Sequence, residues 1–499
     1  MNVLRTKSVE QSMEDTEDPD FKLKKSLSAL DLTVFGIGVI IGAGIFTLTG
    51  TAASQFAGPG VVFSFAIAAA CCGLAALCYA EFASTVPVSG SAYTFSYATM
   101  GELVAWIIGW DLILELMLGA SVVAQGWSTY FVTFLEEIGL GWPDSVGPAD
   151  PATFSWGHVN LAALLLVLVL TALIAVGIKE SMRVNLVLVG VKLFIVLFVI
   201  VAGLFFIKGG NYSPFIPPAA DTPTAGGLTQ PLIQWAFGLE PSTYGVLGII
   251  SGASIVFFAY IGFDVVATTA EEAKNPQKDL PRGIIFSLVI CTILYMAVAL
   301  VITGMVRYDK IDTEAALASA FQSVGHDGFA TLIAAGAVAG LTTVVMTLLI
   351  GAVRVLFSMS RDGLLPHAFG KTSARTGTPV RITLTIGGLV AAVAAFTPID
   401  KLEEMVNIGT LSAFALVSIA VPILRRTRPD LERAFKVPFS PVLPIVAALV
   451  CVYLMVNLSL ETWLRFLVWM AIGFVIYFVY GQRHSFVTDE GERKEAPTA

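Results

Sequence analysis

Run after run of about twenty apolar residues follows along this chain, separated by short polar connections, and a bilayer helix needs about that length. The stretch LAALLLVLVLTALIAV from Leu161 holds no charge and no turn former. Its residues are continuously apolar, so it cannot be a strand of an outer-membrane barrel, whose side chains alternate every second position. Sliding a span-length window along the 499 residues places twelve spans at approximately 30–50, 60–83, 101–127, 158–178, 184–207, 244–270, 283–305, 329–358, 380–397, 402–424, 440–457 and 461–481. Composition agrees: 56% of the residues are hydrophobic and 13% charged, where a water-soluble chain carries about a quarter as charges. The fold class expected is an all-α integral membrane protein. A soluble enzyme, a disordered scaffold and a nucleic-acid binder are excluded, the last because a net charge of −8 and a pI near 5.2 offer no basic surface to phosphates.

The connections are sorted by charge. With a cytoplasmic N-terminus, the inward connections carry Lys179, Arg183, Lys274, Lys278, Arg282, Arg361, Lys371, Arg375, Arg381, Arg425, Arg426, Arg428, Arg433 and Lys436, against Lys208, Arg307, Lys310, Lys401 and Arg465 outward. This Lys/Arg bias sets both termini inside. Residues 1 to about 25 are polar, with no apolar core before a small-residue cleavage site, so no removable signal is expected. Cys71, Cys72, Cys78, Cys291 and Cys451 lie inside apolar runs and read as small buried hydrophobes, without metal or redox spacing. None falls in an outward loop, so a partner held there by a disulfide is not expected. His158, His326, His367 and His484 do not cluster, so no metal and no cofactor is expected.

Two spans are written as broken helices. In the first, Gly36, Gly38, Gly42 and Gly44 each cost a helix about 1 kcal/mol relative to Ala. Gly38 and Gly42 also fit the spacing for close helix packing. In the sixth, Ser251 to Asp264 puts Gly262 and a carboxylate at mid-depth. If spans 1–5 and 6–10 are inverted repeats, these are corresponding positions, and paired interruptions point to a midplane site in a secondary transporter. Opening the first span would free N–H groups near Ile41, Gly42, Ala43 and Gly44, which favour a carboxylate. Opening the sixth would free carbonyls near Phe258, Ala259 and Ile261, which favour an ammonium. An α-amino acid carries both groups one residue apart.

The residues from Gly38 to Phe46 resemble the first-span motif of the amino acid–polyamine–organocation (APC) superfamily. Tyr79-Ala80-Glu81-Phe82 and Pro87-Val88-Ser89-Gly90-Ser91-Ala92-Tyr93 resemble its second-to-third-span signature. Phe258 through Asp264 to Glu271-Glu272, Lys274-Asn275-Pro276 and Leu280-Pro281-Arg282-Gly283, and then Arg354 with Ser360 to Pro366, are similar to its sixth-span and eighth-span segments. Within the superfamily the chain looks most like the bacterial relatives of the cationic amino acid transporters. Those animal proteins usually have fourteen spans. The resemblance implies a ten-helix inverted-repeat core with broken helices 1 and 6, plus two C-terminal helices, moving L-amino acids by alternating access. It also implies that Lys192 in span 5 puts its ammonium where sodium-coupled members hold a metal ion between spans 1 and 8. Phe258 by position resembles an aromatic outer gate.

Charges inside a span are functional candidates by default. Glu115 and Asp111 share a face of span 3, with Glu115 expected to approach the substrate region or Lys192 and Asp111 expected nearer the outer half. Asp264 resembles the acidic position used near the proton pathway, and it also suits the cap of a second half-helix. Lys192 reads either as that coupling charge or as a snorkelling lysine. Glu81, Glu271, Glu272 and Arg354 sit at inner ends, as ion pairs or as solvated termini. Leu341 is a large apolar residue where a long cationic side chain would need a small or polar one.

The chain therefore divides into a cytoplasmic tail 1–28, a transport core 29–424, a loop with two further spans 425–482, and a second cytoplasmic tail 483–499. The function expected is import of L-amino acids across the cytoplasmic membrane, coupled to protons and independent of sodium, with neutral substrates such as alanine favoured. Its expected partners are the amino acid, protons and the lipid bilayer. An obligate exchanger of amino acids or amines, a cationic transporter, and a sensor that binds without transport are the alternatives. No nucleophile–base pair can be placed, so no enzyme is expected.

Overall fold

The structure is a computed structural model that describes residues 5, 27–85, 91–148, 158–177, 182–221, 227–239, 242–313, 315–366, 368–373 and 378–486. Of the positions singled out above, Pro87 to Gly90, Lys179, His367 and Arg375 lie outside the described residues, as do the side chains of Ser91, Arg183 and Glu271.

Helix boundaries follow local chemistry. Span 1 starts at Ala29–Ile40 because Ser28 and Asp31 form a reciprocal capping box. Its second half runs through Gly44–Leu48, Thr49–Ala52 and Ala53–Ala57, and span 2 follows as Val61–Thr85. Span 3 is Glu102–Glu137 and span 8 is Asp327–Arg361. At 1.5 Å per residue both exceed the roughly 30 Å hydrocarbon layer and project beyond it. Span 3 therefore runs past the expected end at 127, since no Gly or Pro interrupts Trp127 to Glu137. Span 4 is Leu161–Val176, capped by the Asn160 side chain and closed by left-handed Gly177. Spans 5, 7, 9, 10 and 11 are Met182–Gly203, Pro276–Met305, Val380–Phe396, Ile399–Thr427 and Val442–Val456. Span 6 is Gly245–Val256, then the tighter turns Phe257–Tyr260 and Asp264–Glu272. Span 12 is Leu460–Ile476, continued by Tyr477–Gly481 and Gln482–His484.

The described chain is thus an all-α membrane protein. Eight of its helical runs are long and apolar enough to cross a bilayer, and four shorter apolar helices accompany them. Among the described residues the only paired strands are Ala220–Asp221 against Ser242–Thr243. Large apolar side chains such as Leu168, Phe194, Leu197, Leu449 and Val468 are exposed on spans 4, 5, 11 and 12, the surface a lipid annulus covers.

The packing repeats with a period of five spans. Span 1 packs on span 7 and span 6 on span 2; span 3 packs on span 10 and span 8 on span 5. Spans 2 and 7, 3 and 8, and 4 and 9 pack on each other. Each of these contacts becomes another member of the set when the span numbers are exchanged by five.

One face of the bundle gathers the arginines. Glu81, at the end of span 2, is buried and takes a two-pronged bond from Arg425 (Nε to Oε1 2.8 Å, Nη2 to Oε2 2.6 Å). The Val437 N–H reaches the same carboxylate at 2.7 Å, and Arg433 stands 3.6 Å away. In the adjoining loop, Arg428 holds the exposed Asp430 carboxyl below its ordinary range. Glu102, at the start of span 3, takes both Nε and Nη2 of Arg5 at 2.8 Å, and the Tyr97 and Tyr477 hydroxyls at 2.6 and 3.0 Å. Arg354 pairs with Glu272 at 3.9 Å. Leu27, just before span 1, bridges to Ala273 just after span 6, with N–H to O distances of 2.9 and 2.8 Å to Glu272 and from Lys274. Glu81, Glu272 and Arg354 are therefore ion-paired rather than bare helix ends.

Breaking a buried ion pair strands the remaining charge at a cost of about 3 kcal/mol. Arg425→Ala should therefore lower the melting midpoint of the detergent-solubilised protein clearly, while Arg428→Ala, whose partner is exposed, should leave it nearly unchanged. Scanning fluorimetry checks this, and equal midpoints for the two variants would refute it.

Candidate functional site

The first break spans two residues. Ile41 leaves helical geometry at φ −72°, ψ 85°, and the helix resumes at Ala43 and Gly44. Of the four nominated N–H groups, Ile41 donates to Ile37 O at 2.9 Å and Gly42 to Ile40 O at 2.8 Å. Ala43 and Gly44 open the second half, and the first N–H groups of a helix have no partner within it. The second break centres on Ile261, at ψ 136°, and Gly262, at φ +118°. Only glycine adopts that dihedral without strain. Asp264 Oδ1 accepts the Gly262 N–H at 3.3 Å, two residues before it, while the helix Asp264–Glu272 has Phe263 at its N-cap and no side-chain cap bond. Among the nominated carbonyls, Phe258 O already accepts from Ile261 N at 3.2 Å and Ala259 O from the Tyr295 hydroxyl at 2.9 Å. Each keeps a second lone pair.

The two breaks touch. A methyl group built on Gly44 would stand 2.3 Å from the Ala259 Cα, and one on Gly262 would stand 2.7 Å from the Val39 side chain. Bare backbone is thus what lets span 1 meet span 6. Span 3 closes another side through Gly126, where an added methyl would stand 3.4 Å from Ala43 and Thr47, and span 8 another through Val344, 3.4 Å from a methyl placed on Gly42. Ile41, Ala43, Phe258, Ala259 and Ile261 are all buried. Leu341 is buried too, one position along from Gly340, which faces Lys192, whereas Val344 is the residue brought against the first break.

Lys192 is fully buried, its Nζ 2.6 Å from the Gly38 carbonyl of span 1. Its methylene stem lies over Gly340 of span 8, where a Cβ would approach it to 2.7 Å. The side chain therefore bridges spans 1 and 8 from span 5, and it does not snorkel to a surface.

Glu115 is fully buried, and neither of its oxygens has a hydrogen-bond partner among the described residues. The Thr410 hydroxyl alongside donates to Val406 O at 3.0 Å. Asp264 is within electrostatic reach of Glu115, and the buried Tyr79 hydroxyl, also without a partner, is within reach of both. The Tyr79 ring packs on two others: Phe263 and Phe414 lie 5.8 and 5.3 Å from it and 4.9 Å from each other. Asp111 accepts from Ser412 at 2.6 Å. Span 3 runs from Glu102 to Glu137, so Asp111 lies closer than Glu115 to the arginine-rich face.

Two groups at the breaks escaped the sequence reading. Tyr295 of span 7 reaches Ile40 O at 2.7 Å as well as Ala259 O, and Asn407 of span 10 donates to Ser254 O at 2.9 Å. Each is one polar residue in a long apolar helix, with no spacing to mark it. Among the described residues no group of three metal-ligating side chains exists. All five cysteines are free and buried, and folding brings Cys71 and Cys451 to 3.7 Å across spans 2 and 11.

Residues 27–480 match the family model described as amino acid permease. The chain is 47% identical to the branched-chain amino acid permease BcaP of Bacillus subtilis, over 97% of this chain and 98% of the relative. It is 44% identical to the methylthioribose transporter of the same organism, over 93% and 95%, and 31% identical to the vacuolar cationic amino acid transporter 4 of Arabidopsis thaliana, over 98% and 97%.

Gly44→Ala should sharply lower the yield and melting midpoint of the purified protein, because its methyl meets backbone rather than a flexible side-chain end. Gly388→Ala, a helical position with open space around it, should leave both unchanged or slightly raised. Comparable behaviour of the two would show that the breaks do not depend on this contact.

Proposed function

Since the chain belongs to the amino acid permease family of the APC superfamily, we propose that it imports neutral L-amino acids by alternating access, driven by protons and without sodium. The observation that carries this reading is the meeting of two broken helices at Gly44 and Ala259, with helix-opening N–H groups on one side and carbonyls on the other. A zwitterion satisfies both at once, which favours an amino acid backbone whatever its side chain.

The five-span period of the packing supports an inverted repeat of spans 1–5 and 6–10. The transport core is then 29–424, flanked by the tail 1–28, the loop and spans of 425–482, and the tail 483–499. Arginines gathered at one face support a multi-pass cell-membrane protein with that face and both termini in the cytoplasm. Lys192, with its ammonium at the Gly38 carbonyl, fills the slot a sodium ion would occupy between spans 1 and 8. Glu115 and Asp264, enclosed together beside Tyr79, offer a place to carry a proton through the cycle. Phe258 serves as the gate over the bound substrate, and opening of the Glu81, Glu272 and Arg354 pairs accompanies exposure to the cytoplasm.

Apolar Val344 and Leu341 favour an uncharged side chain, as does the likeness to a branched-chain amino acid permease. The name of the 44% relative raises a second reading, transport of methylthioribose. That thioether sugar is uncharged and would leave the paired helix ends unmatched.

The test is uptake of radiolabelled L-alanine and L-leucine into liposomes under an inward proton gradient without sodium, with arginine, lysine and methylthioribose as competitors. Accumulation abolished by a protonophore, and displaced by neutral amino acids, is expected. Uptake only after preloading with amino acid or amine would replace symport by exchange, and displacement by methylthioribose alone would favour the sugar. Lys192→Ala should reduce net uptake to background while the protein remains folded, and pH-driven uptake unchanged in that variant would remove Lys192 from the coupling. Asp264→Asn should flatten the pH dependence of uptake, and a profile identical to wild type would exclude Asp264 from proton transfer.

A further inference from the structure

Asp111 is fully buried on span 3, one helical turn from Glu115 and on the same face. Side chains so spaced have Cβ atoms about 6 Å apart. Asp111 Oδ2 accepts the Ser412 hydroxyl at 2.6 Å, but Oδ1 has no partner among the described residues, and neither oxygen of Glu115 has one. Three orphaned carboxylate oxygens thus share one helix face. Span 10 lines that face with two hydroxyls, Thr410 beside Glu115 and Ser412 on Asp111. Its bare Gly409 lets the helices close between them: a methyl built there would stand 3.4 Å from Leu114 and 3.8 Å from Asp111 O. The charged groups that reach Glu115 are Asp264 of span 6 and Asp111 itself, and the Tyr79 hydroxyl of span 2 is within its reach. Around Asp111 the other neighbours of span 3 bring no charge: span 8 sets Met359 against Gly109, span 12 stacks Trp469 on Trp110, and Tyr93 turns its hydroxyl to Asp362 at 2.8 Å.

We propose that Asp111 is the inward proton relay of Glu115, taking the coupling proton from it and passing it toward the arginine-rich face. The inference rests on the proton-driven reading and deepens it, by naming the group that empties Glu115. Two ionised carboxylates side by side in a buried site repel strongly, so the pair holds at least one proton. That proton gives one orphaned oxygen a donor. In the transfer the O–H bond of the Glu115 carboxyl breaks as an O–H bond forms on Asp111 Oδ1; Glu115 becomes the carboxylate, Asp111 becomes the acid, and the charge of the pair is unchanged. Ser412 stays on Oδ2 and leaves Oδ1 as the oxygen that turns over. The direction comes from the helix: span 3 starts at Glu102 on the arginine-rich face, and four residues at 1.5 Å each put Asp111 about 6 Å nearer to it than Glu115.

The experiment compares two modes of transport by the full-length protein in liposomes. One is net uptake of radiolabelled L-leucine under an inward proton gradient; the other is exchange of labelled for unlabelled L-leucine without a gradient, in which the proton site need not empty. Asp111→Asn keeps the shape and an acceptor for Ser412 but carries no proton. It should lower net uptake about tenfold or more, as loss of a positioned proton carrier does, and keep exchange within about twofold of wild type. Ser121→Ala removes another buried hydroxyl of span 3, which donates to Met117 O at 3.0 Å away from the pair, and should leave both modes near wild type. Net uptake unchanged in Asp111→Asn, or both modes lost together, overturns the inference. Should Asp111→Asn fail to fold, Ser412→Ala keeps both carboxyls and removes only the hydroxyl on Oδ2; there a shifted pH midpoint of net uptake with exchange intact supports the proposal, and an unmoved midpoint overturns it. A wild type that accumulates nothing under the proton gradient overturns proton coupling itself, an outcome distinct from proton-driven wild-type uptake that Asp111→Asn leaves intact.

Discussion

Inside a bilayer every backbone N–H and C=O must find a partner within the protein, because the hydrocarbon supplies none. A helix can therefore be opened at mid-depth only where other side chains take over the freed groups. Span 6 meets that condition with Asn407 on Ser254 O, Tyr295 on Ala259 O and Asp264 on the Gly262 N–H. Span 1 meets it with Lys192 on Gly38 O and Tyr295 on Ile40 O. Spans 5, 7 and 10 are arranged so that these few polar side chains arrive at the right depth.

Close approach is the second requirement, and it is achieved by leaving side chains out. Gly36 lies against Ser287, Gly283 against Leu32, Gly340 against the Lys192 stem and Gly44 against Ala259. Membrane helices gain no hydrophobic drive from meeting each other in lipid, so short backbone distances and dispersion have to supply the attraction. The same economy governs polar groups. Lys192 costs least where its ammonium meets a helix carbonyl directly, and the Tyr79 ring is packed between Phe263 and Phe414.

Much of this was legible in the sequence because bilayer thickness imposes a length on every span and glycine reports where a helix is weak. The twelve spans, both breaks, and Lys192 between spans 1 and 8 follow from those two signals and the family resemblance. What escaped were contacts made across hundreds of residues. Tyr295 and Asn407 look like any polar residue in an apolar run, and Val344 looks like core. Glu81 could be read as a solvated helix end because its partners Arg425, Arg433 and Val437 lie more than three hundred positions away. Sharing a face with Glu115 says nothing about which end of the helix Asp111 is nearer, whereas the direction of span 3 from Glu102 puts it nearer the arginine-rich end. The extension of span 3 was missed because hydropathy marks where lipid ends, not where hydrogen bonding ends.

The bridge between Leu27 and Ala273 has a practical side. Its two hydrogen bonds grip the peptide of Leu27 from both directions, immediately before one broken helix and immediately after the other. A force applied to the amino end of the chain meets the grip of Arg5 on Glu102, at the head of span 3, before it reaches Leu27. At the carboxyl end Tyr477 and Ser485 anchor on the same Glu102. A reporter fused to either end therefore loads the head of span 3 first, and the joint between the two interrupted helices feels the front one only through the Leu27 bridge behind it.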